Sequence, residues 1–571
     1  MTRQIFMVLS TSKVKSLLIK STKFQPWIFV GLAFISSINT ASAESETIVK
    51  PGDEVTRVFE KLHARNYGEA TPIEPVDYDI LNIRGVFVID GTGAPPYGPV
   101  DISIENGEIR SINTAAIGAG VPMAKETANK GTLVVREIQA QGKYVMPGLI
   151  DAHVHTDVPF HSLFGPVPSI DYVFKLWLGH GITTVREVGS FGGLTSTLNY
   201  KKLSEKNLVA APRFVVMPAF PIGYFSSTKE ARQWVVDVKK RGADGVKFIG
   251  GDKELVKAAL EEIAAQGMTS AFHHPQLNVM DVNALQSAEW GNTSIEHWYG
   301  LPEAMFEDRR IQHYSYDYNY SNEQDRFGEA GDLWAQSAQP GSAGWNTLID
   351  KLLATGVTLD PTFSIYEANR DVDAVSSRPW FKDYIFPGLK QMFEPNTKIH
   401  GSYFFDWTTA DEVKWKRNYI LWMQFVNDFK NRGGRVTVGS DAGFIYNLNG
   451  FGYVRGLEML QEAGFHPLEV VRAATLSGAE LLNVADEIGT IKIGKKADLL
   501  ILDENPLPNF KLLYGTGHIR LNTETQQVER IHALRYTIKD GIVFDAAKLL
   551  TEVRKMVQDT AQASATNHPS S

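Results

Sequence analysis

Residues 146–158 read MPGLIDAHVHTDV, an apolar run that ends in two histidines one residue apart. In an extended chain, residues i and i+2 project to the same side. If this run is a strand, the imidazoles of His153 and His155 face one point as the chain leaves it. Two histidines in a polar loop would look the same in isolation. The rest of the chain decides between the readings.

Seven more short apolar runs follow: GITTVREVG, RFVVMPAF, GADGVKFIG, TSAFHH, TSIEHWYG, GVTLDPTFS and GRVTVGSDAG. Between several of them lie stretches with helical periodicity, such as TKEARQWVVDVKKR and DKELVKAALEEIAAQ. Eight strand–helix repeats over residues 146–489 predict an α/β fold, a (β/α)8 TIM barrel with insertions. The polar residues gather at the C-terminal ends of the runs, the face on which such barrels carry their sites. Two insertions, 299–345 and 364–420, are dense in Tyr, Phe and Trp. They are too long for plain connections and too aromatic for disorder. They read as a cover over the barrel mouth or as a dimer contact.

The flanks have a different texture. Residues 80–145 and 490–548 hold short alternating strands with Gly and Asn-Gly turns, for instance VDISIENGEIRSI and ALRYTIKDGIVFDAAK. They predict one small β-sandwich domain formed from both chain ends. Residues 44–79 read as a charged helical segment, and 549–571 as a C-terminal tail. The first 43 residues place lysines ahead of PWIFVGLAFISSINTASA, an apolar core closing on Ala41-Ser42-Ala43. That is the pattern of a secretory signal with cleavage after Ala43. The run is too short and too interrupted for a stable membrane anchor. A secreted or periplasmic location also suits a chain with no cysteine, which excludes disulfides, thiolate ligands and a lipid-anchored export form. A net charge of -8 argues against nucleic acid as a partner.

Several strand ends carry residues that apolar strands rarely hold. Lys247 in GVKFI would bury an ammonium. AFHHP offers His273 and His274, SIEHWYG offers His297, and VTVGSDAG offers Asp441. Each has a structural alternative, such as an ion pair, a hydrogen-bonded core histidine or a helix cap. Yet five of the 14 histidines sit at the ends of three predicted strands.

As an ordered set, MPGLIDAHVH, GITTVRE, GADGVKFI, SIEHWYG, VGSDAG and ATLSGAELLNVADEIGTIKIGKKADLLILD resemble the amidohydrolase superfamily of metal-dependent hydrolases. The resemblance is to its imidazolonepropionase-like and dipeptidase-like subgroup and runs from about residue 80 to 545. It implies two divalent metal ions, zinc by default with manganese or cobalt able to serve. It implies that His153 and His155 bind the buried metal and that Lys247, carbamylated, bridges both ions. His273 and His297 would hold the second ion. Asp441 would bind the first and act as acid/base. His273 and His274 are adjacent and face opposite ways; counting forward from Gly267 favours His273. Glu187 stands where relatives often have Asp.

The implied reaction is cleavage of a C–N bond in an amide, peptide or cyclic amide by metal-activated hydroxide. Tyr299 could hydrogen-bond the tetrahedral oxyanion or form part of an aromatic wall. Arg455 could grip a substrate carboxylate or belong to an ion pair. An esterase or lactonase would use the same site. A one-metal deaminase fits less well, since this chain has Lys247 and places Gln276 where those relatives carry a glutamate. The expected partner is a small-molecule substrate with an apolar or aromatic part, with homo-oligomer formation left open.

Overall fold

The computed structural model describes residues 67–115 and 133–567. The expected signal and most of the expected N-terminal helical segment lie outside the described residues. Eight parallel strands carry the central part of the chain. They are β1 (Leu149–Val154), β2 (Ile182–Gly189), β3 (Arg213–Pro218) and β4 (Gly245–Ile249), followed by β5 (Thr269–His273), β6 (Ser294–Glu296), β7 (Thr358–Asp360) and β8 (Arg435–Val436). All eight fall in the runs that the sequence singles out.

These strands pair in two sheets, β1-β2-β3 and β4-β5-β6-β7-β8. A parallel bridge between Ala219 and Lys247 joins β3 to β4, and Phe220 N donates to Lys247 O at 2.7 Å. At the other end, Ala152 N donates to Val438 O at 2.9 Å and Asp441 N to His153 O at 2.8 Å, so the first and last strands are neighbours. The arrangement is an α/β fold of TIM-barrel-like form. Every residue of β1 and β2 is buried, as strands covered on both faces require.

The helices that wrap the strands obey local rules. Thr228–Arg241 starts at Ser227, whose side chain accepts from Glu230 N, and stops at Gly242 in the left-handed region. Lys253–Ala265 is capped by Asp252, whose carboxylate accepts from Glu254 N and Leu255 N. Between them they bury Ala231, Val235, Val238, Val256, Leu260 and Ile263.

A second sheet of eight strands draws on both flanks of the chain. Five strands lie within residues 80–147 and three within 499–545, and Tyr144–Pro147 pairs antiparallel with Leu499–Leu502. It encloses its own apolar cluster, including Ile83, Val88, Ile102, Val145, Leu499 and Ile538. Met146 and Pro147 thus pair in this sheet, and the first of the eight parallel strands begins at Leu149.

Two flanking segments differ from expectation. Residues 67–79 are extended, with one bridge between Pro72 and Val209. Pro72 and Pro75 lack the amide hydrogen a helix interior needs. The stretch read as a tail belongs instead to a helix, Ala546–Asn567, which packs on Asp171–Gly179.

The aromatic insertions also differ from long loops. They contain helices Glu323–Ala330 and Pro387–Phe393 and run into helices Ala343–Thr355 and Thr409–Asn431, with shorter turns between. Part of their aromatic content is core: Trp334 and Trp415 lie 6.4 and 6.0 Å from the ring of Trp298, just ahead of the first insertion. Large rings of this kind supply the burial that keeps the insertions folded. Glu323 ties the two insertions together, accepting from Gly401 N at 2.8 Å and pairing with His400 Nδ1 at 2.5 Å.

Candidate metal centre

Asp441 follows β8, and His153 and His155 stand at the end of β1. His155 Nε2 lies 3.0 Å from Asp441 Oδ1 and His153 Nε2 3.5 Å from the same oxygen. One ligand atom from each of the three residues falls within 4.8 Å of the others, so the group can hold a metal ion. His297, just past β6, brings its Nε2 to 3.6 Å from Asp441 Oδ2. Its ring is 5.1 Å from that of His153 and 4.9 Å from that of His273. Both His297 (φ 62°) and Asp441 (φ 50°) occupy the left-handed region without being glycine. Such backbone costs about 1–3 kcal/mol per residue and gathers at functional sites.

The two adjacent histidines of β5 do different things. His273 faces His297 and Tyr299, whose ring is 5.9 Å away. His274 points elsewhere: its ring stacks on Phe272 at 4.1 Å and its Nε2 is 2.8 Å from Ser287 Oγ.

Lys247 is buried in β4, and among the described residues its Nζ has no hydrogen-bond partner. Burial pulls its pKa down to about 8, against the opposing pull of Glu296 and Asp441. A neutral amine is therefore accessible near pH 8. Burial, and then Lys247, hold His153 and His297 well below the usual imidazole range; for His273 burial is followed by His297. Neutral imidazole is the form that binds metal. For Asp441 burial acts upward, but His153, His155 and Lys247 outweigh it and keep the carboxyl below its ordinary value.

Beneath the histidines lies a layer of charge that the motif reading missed. Glu296, fully buried, takes both its oxygens to Arg186 Nη2 at 2.9 and 3.0 Å and accepts from Ser294 Oγ at 2.5 Å. Its Oε2 also lies 2.5 Å from His153 Nδ1, which turns His153 Nε2 toward Asp441. Carboxylates bonded to the far nitrogen of a ligating histidine fix its tautomer and orientation. Thr362 plays the corresponding part for His297, 2.5 Å from its Nδ1. Asp360 closes the layer, 3.7 Å from Arg186 and accepting from Thr437 Oγ1 at 3.0 Å. A charge inside an all-buried strand was the available signal, the same one that singled out Lys247.

Glu187 is a positioning group, accepting from Thr156 N at 2.5 Å and Ser190 N at 3.1 Å. It thereby ties the chain after β1 to the chain after β2. Tyr299 is buried between His273 and Tyr366, its hydroxyl pKa raised by burial and then by Tyr366. Arg455 lies on the helix Phe451–Glu462, and Glu367, Glu458 and Glu462 take up its guanidinium at 2.8, 3.3 and 3.5 Å. The ion-pair arrangement is the one observed. Gln276 donates to Arg326 O at 3.3 Å.

With this geometry in hand, similarity to known proteins becomes informative. The model of the amidohydrolase family matches residues 389–543, which include Asp441. The match takes in the C-terminal part of the chain, from the second aromatic insertion to the last strands of the second sheet. It is 38% identical over 56 residues to an imidazolonepropionase of Brevibacillus brevis, a stretch covering 10% of this chain and 13% of that relative. Among solved structures it resembles a Xaa-Pro dipeptidase with bound methionine in the active site, at 18% identity and a TM-score of 0.54, covering 82% of this chain and all of the other. A bottromycin amidohydrolase gives 17% identity and a TM-score of 0.57, covering 89% and 94%. At these identities the structural likeness shows the fold. The residues gathered here fit a metal: imidazoles, an anionic carboxylate and a buried lysine amine converge at one end of the strands.

Proposed function

We propose that this protein hydrolyses a C–N bond in an amide, peptide or cyclic amide at a binuclear metal centre. Two divalent ions, zinc by default, would be held by His153, His155, His273, His297, Asp441 and a carbamylated Lys247. The observation that carries the reading is the buried Lys247 amine, without a hydrogen-bond partner among the described residues and near enough to His153, His273, His297 and Asp441 to act on their charge. A lysine in that position is costly as a cation. As a neutral amine it can add to carbon dioxide, forming an N–C bond and releasing one proton. The product is an anionic carboxylate able to bridge two cations.

Bound divalent ions would lower the pKa of a water molecule toward neutrality and polarise the scissile carbonyl. The chain supplies the rest. Asp441, held anionic by its histidine neighbours, accepts the proton of the attacking water and returns it to the departing nitrogen. Tyr299 presents its hydroxyl toward the carbonyl oxygen as charge builds there. Phe191, 4.8 Å from the ring of His155, and Phe444, 6.2 Å from it, make one wall. Tyr366, 5.8 Å from His297, makes another. Walls of this kind favour a substrate with an apolar or aromatic part. The hydrogen bonds between β1 and the residues after β8 support reading the eight strands as a closed (β/α)8 barrel, with the second sheet as a small β domain from both chain ends. The leader pattern and the absence of cysteine support a periplasmic or secreted mature chain beginning after Ala43.

Metal analysis of the purified mature chain beside Lys247→Ala tests the centre. About two zinc ions per chain, falling to one or fewer in the variant together with loss of amide turnover, is the expected result. One ion in both proteins would overturn the bridging role of Lys247.

A further inference from the structure

The loop that carries Asp441 is held from outside by a pair of side chains that supply no metal ligand. Asp441, Ile445 and Tyr446 have φ of 50°, 50° and 56°. Ile445 is β-branched, for which this backbone is an outlier. Such a loop persists only where its surroundings over-determine it. Inside the loop, Gly443 N donates to Asn447 O and Asn447 N to Phe444 O, both at 2.8 Å. Asn447 Nδ2 donates to Ser440 O at 2.7 Å.

The outside support arrives at the Gly443 carbonyl. His161, buried in the turn Pro159–Ser162, has its Nε2 2.9 Å from Gly443 O. A carbonyl can only accept, so the ring proton sits on Nε2 and Nδ1 is left as an acceptor. Tyr67 meets it, donating its hydroxyl to Nδ1 at 2.8 Å. Tyr67 belongs to the extended N-terminal strap, and the strap is itself pinned. Ile170 N donates to Gly68 O at 3.3 Å, and Thr71 N to the Asp171 carboxylate at 3.1 Å. The ring of His161 also lies 6.1 Å from Phe444, which in turn packs on His155.

We infer that Tyr67 and His161 form a positioning pair that holds the loop of residues 441–447 in the geometry Asp441 needs to bind metal. The N-terminal strap would then be part of the metal centre although it contributes no ligand. Tyr67 acts only through His161, by fixing which ring nitrogen faces Gly443. The inference rests on the proposed metal-binding role of Asp441.

The test is zinc retention by the purified full chain against a chromophoric chelator, a readout independent of turnover. The set is wild type, Tyr67→Phe, His161→Gln, His161→Ala and the double variant Tyr67→Phe/His161→Ala. His161→Ala should weaken zinc binding about 10-fold or more, the range seen when groups behind a ligand are removed. His161→Gln can place an amide N–H where Nε2 stood and should recover most of that loss. Tyr67→Phe should cost about two- to five-fold, at the level of one buried hydrogen bond. The double variant should bind no worse than His161→Ala alone, because Tyr67 has nothing to act through once the ring is gone. General loosening of the fold would instead give additive losses and no rescue by glutamine. Additive losses, or His161→Ala within two-fold of wild type, would overturn the inference. If His161→Ala does not fold, Tyr67→Phe decides: wild-type zinc affinity in that variant overturns the pairing. A wild-type chain that binds no zinc would overturn the metal reading itself, and this inference with it.

Discussion

Replacing Glu296 by Gln tests whether the buried charge layer sets the geometry of the site. The exchange is nearly isosteric and removes one negative charge. Arg186 is fully buried and loses the carboxylate it contacts at 2.9 and 3.0 Å. Breaking a buried pair by neutralising one member costs about 3–5 kcal/mol. Asp360, 3.7 Å from the same guanidinium, keeps part of the compensation, which places the expected loss near the low end, about 3 kcal/mol. The same change removes the anionic partner of His153 Nδ1. Loss of such a partner weakens metal affinity by about 10- to 100-fold, or about 1.4–2.7 kcal/mol. Urea unfolding of the metal-free chain measures the first quantity, and zinc competition with a chelator measures the second. An unchanged unfolding midpoint together with zinc affinity within two-fold of wild type would refute the idea that Glu296 orients His153.

Two further changes probe the rim and the cover. Burial acts upward on Glu323, but His400 and Arg326 outweigh it and hold its carboxyl down to about 2. Its folded pKa is thus below its unfolded value, so its contribution is present above about pH 4.5 and drains away as pH falls toward 2. A gap of about two units corresponds to about 3 kcal/mol, so wild type should lose that much more than Glu323→Gln in urea titrations between pH 5 and pH 2. Parallel curves for the two proteins would contradict it. At Gly192, an added Cβ would sit 1.7 Å from Asp157 Oδ1. Gly192→Ala must therefore shift the loop that seats Phe191 against His155. It should cost about 1–3 kcal/mol and lower kcat/KM for an apolar amide; a variant indistinguishable from wild type in both would show that the loop has slack.

Much of the fold was legible because buried parallel strands leave a plain trace. Runs such as ITTVREV and GVKFI are rich in β-branched residues and bounded by glycine, and the polar residues that follow such runs mark the end of the strands where the candidate site lies. The histidines at strand ends and Lys247 stood out for the same reason. Arg186, Glu296 and Asp360 were overlooked although they break apolar runs in the same way. Their partners come from different strands, and linear order does not say which charge meets which. The aromatic insertions misled in a different manner. A tryptophan that lines a pocket and one that fills a core look alike in sequence, and only the packing of Trp298 among Trp334, Trp415 and Trp422 separates them. His161 and Tyr67 had no signal at all, since their roles depend on one carbonyl oxygen far along the chain.

The first histidine-bearing strand has its neighbours supplied from opposite ends of the polypeptide. β1 is hydrogen-bonded to the segment after β8, and the strand just before it pairs with Leu499–Leu502. A growing chain therefore makes His153 and His155 early and Asp441 late, and cannot seal the base of β1 until Leu502 has appeared. Contacts this distant in sequence form slowly. Until then only part of the proposed ligand set is together, so under the proposed function the order of assembly, as much as affinity, would decide when the centre fills.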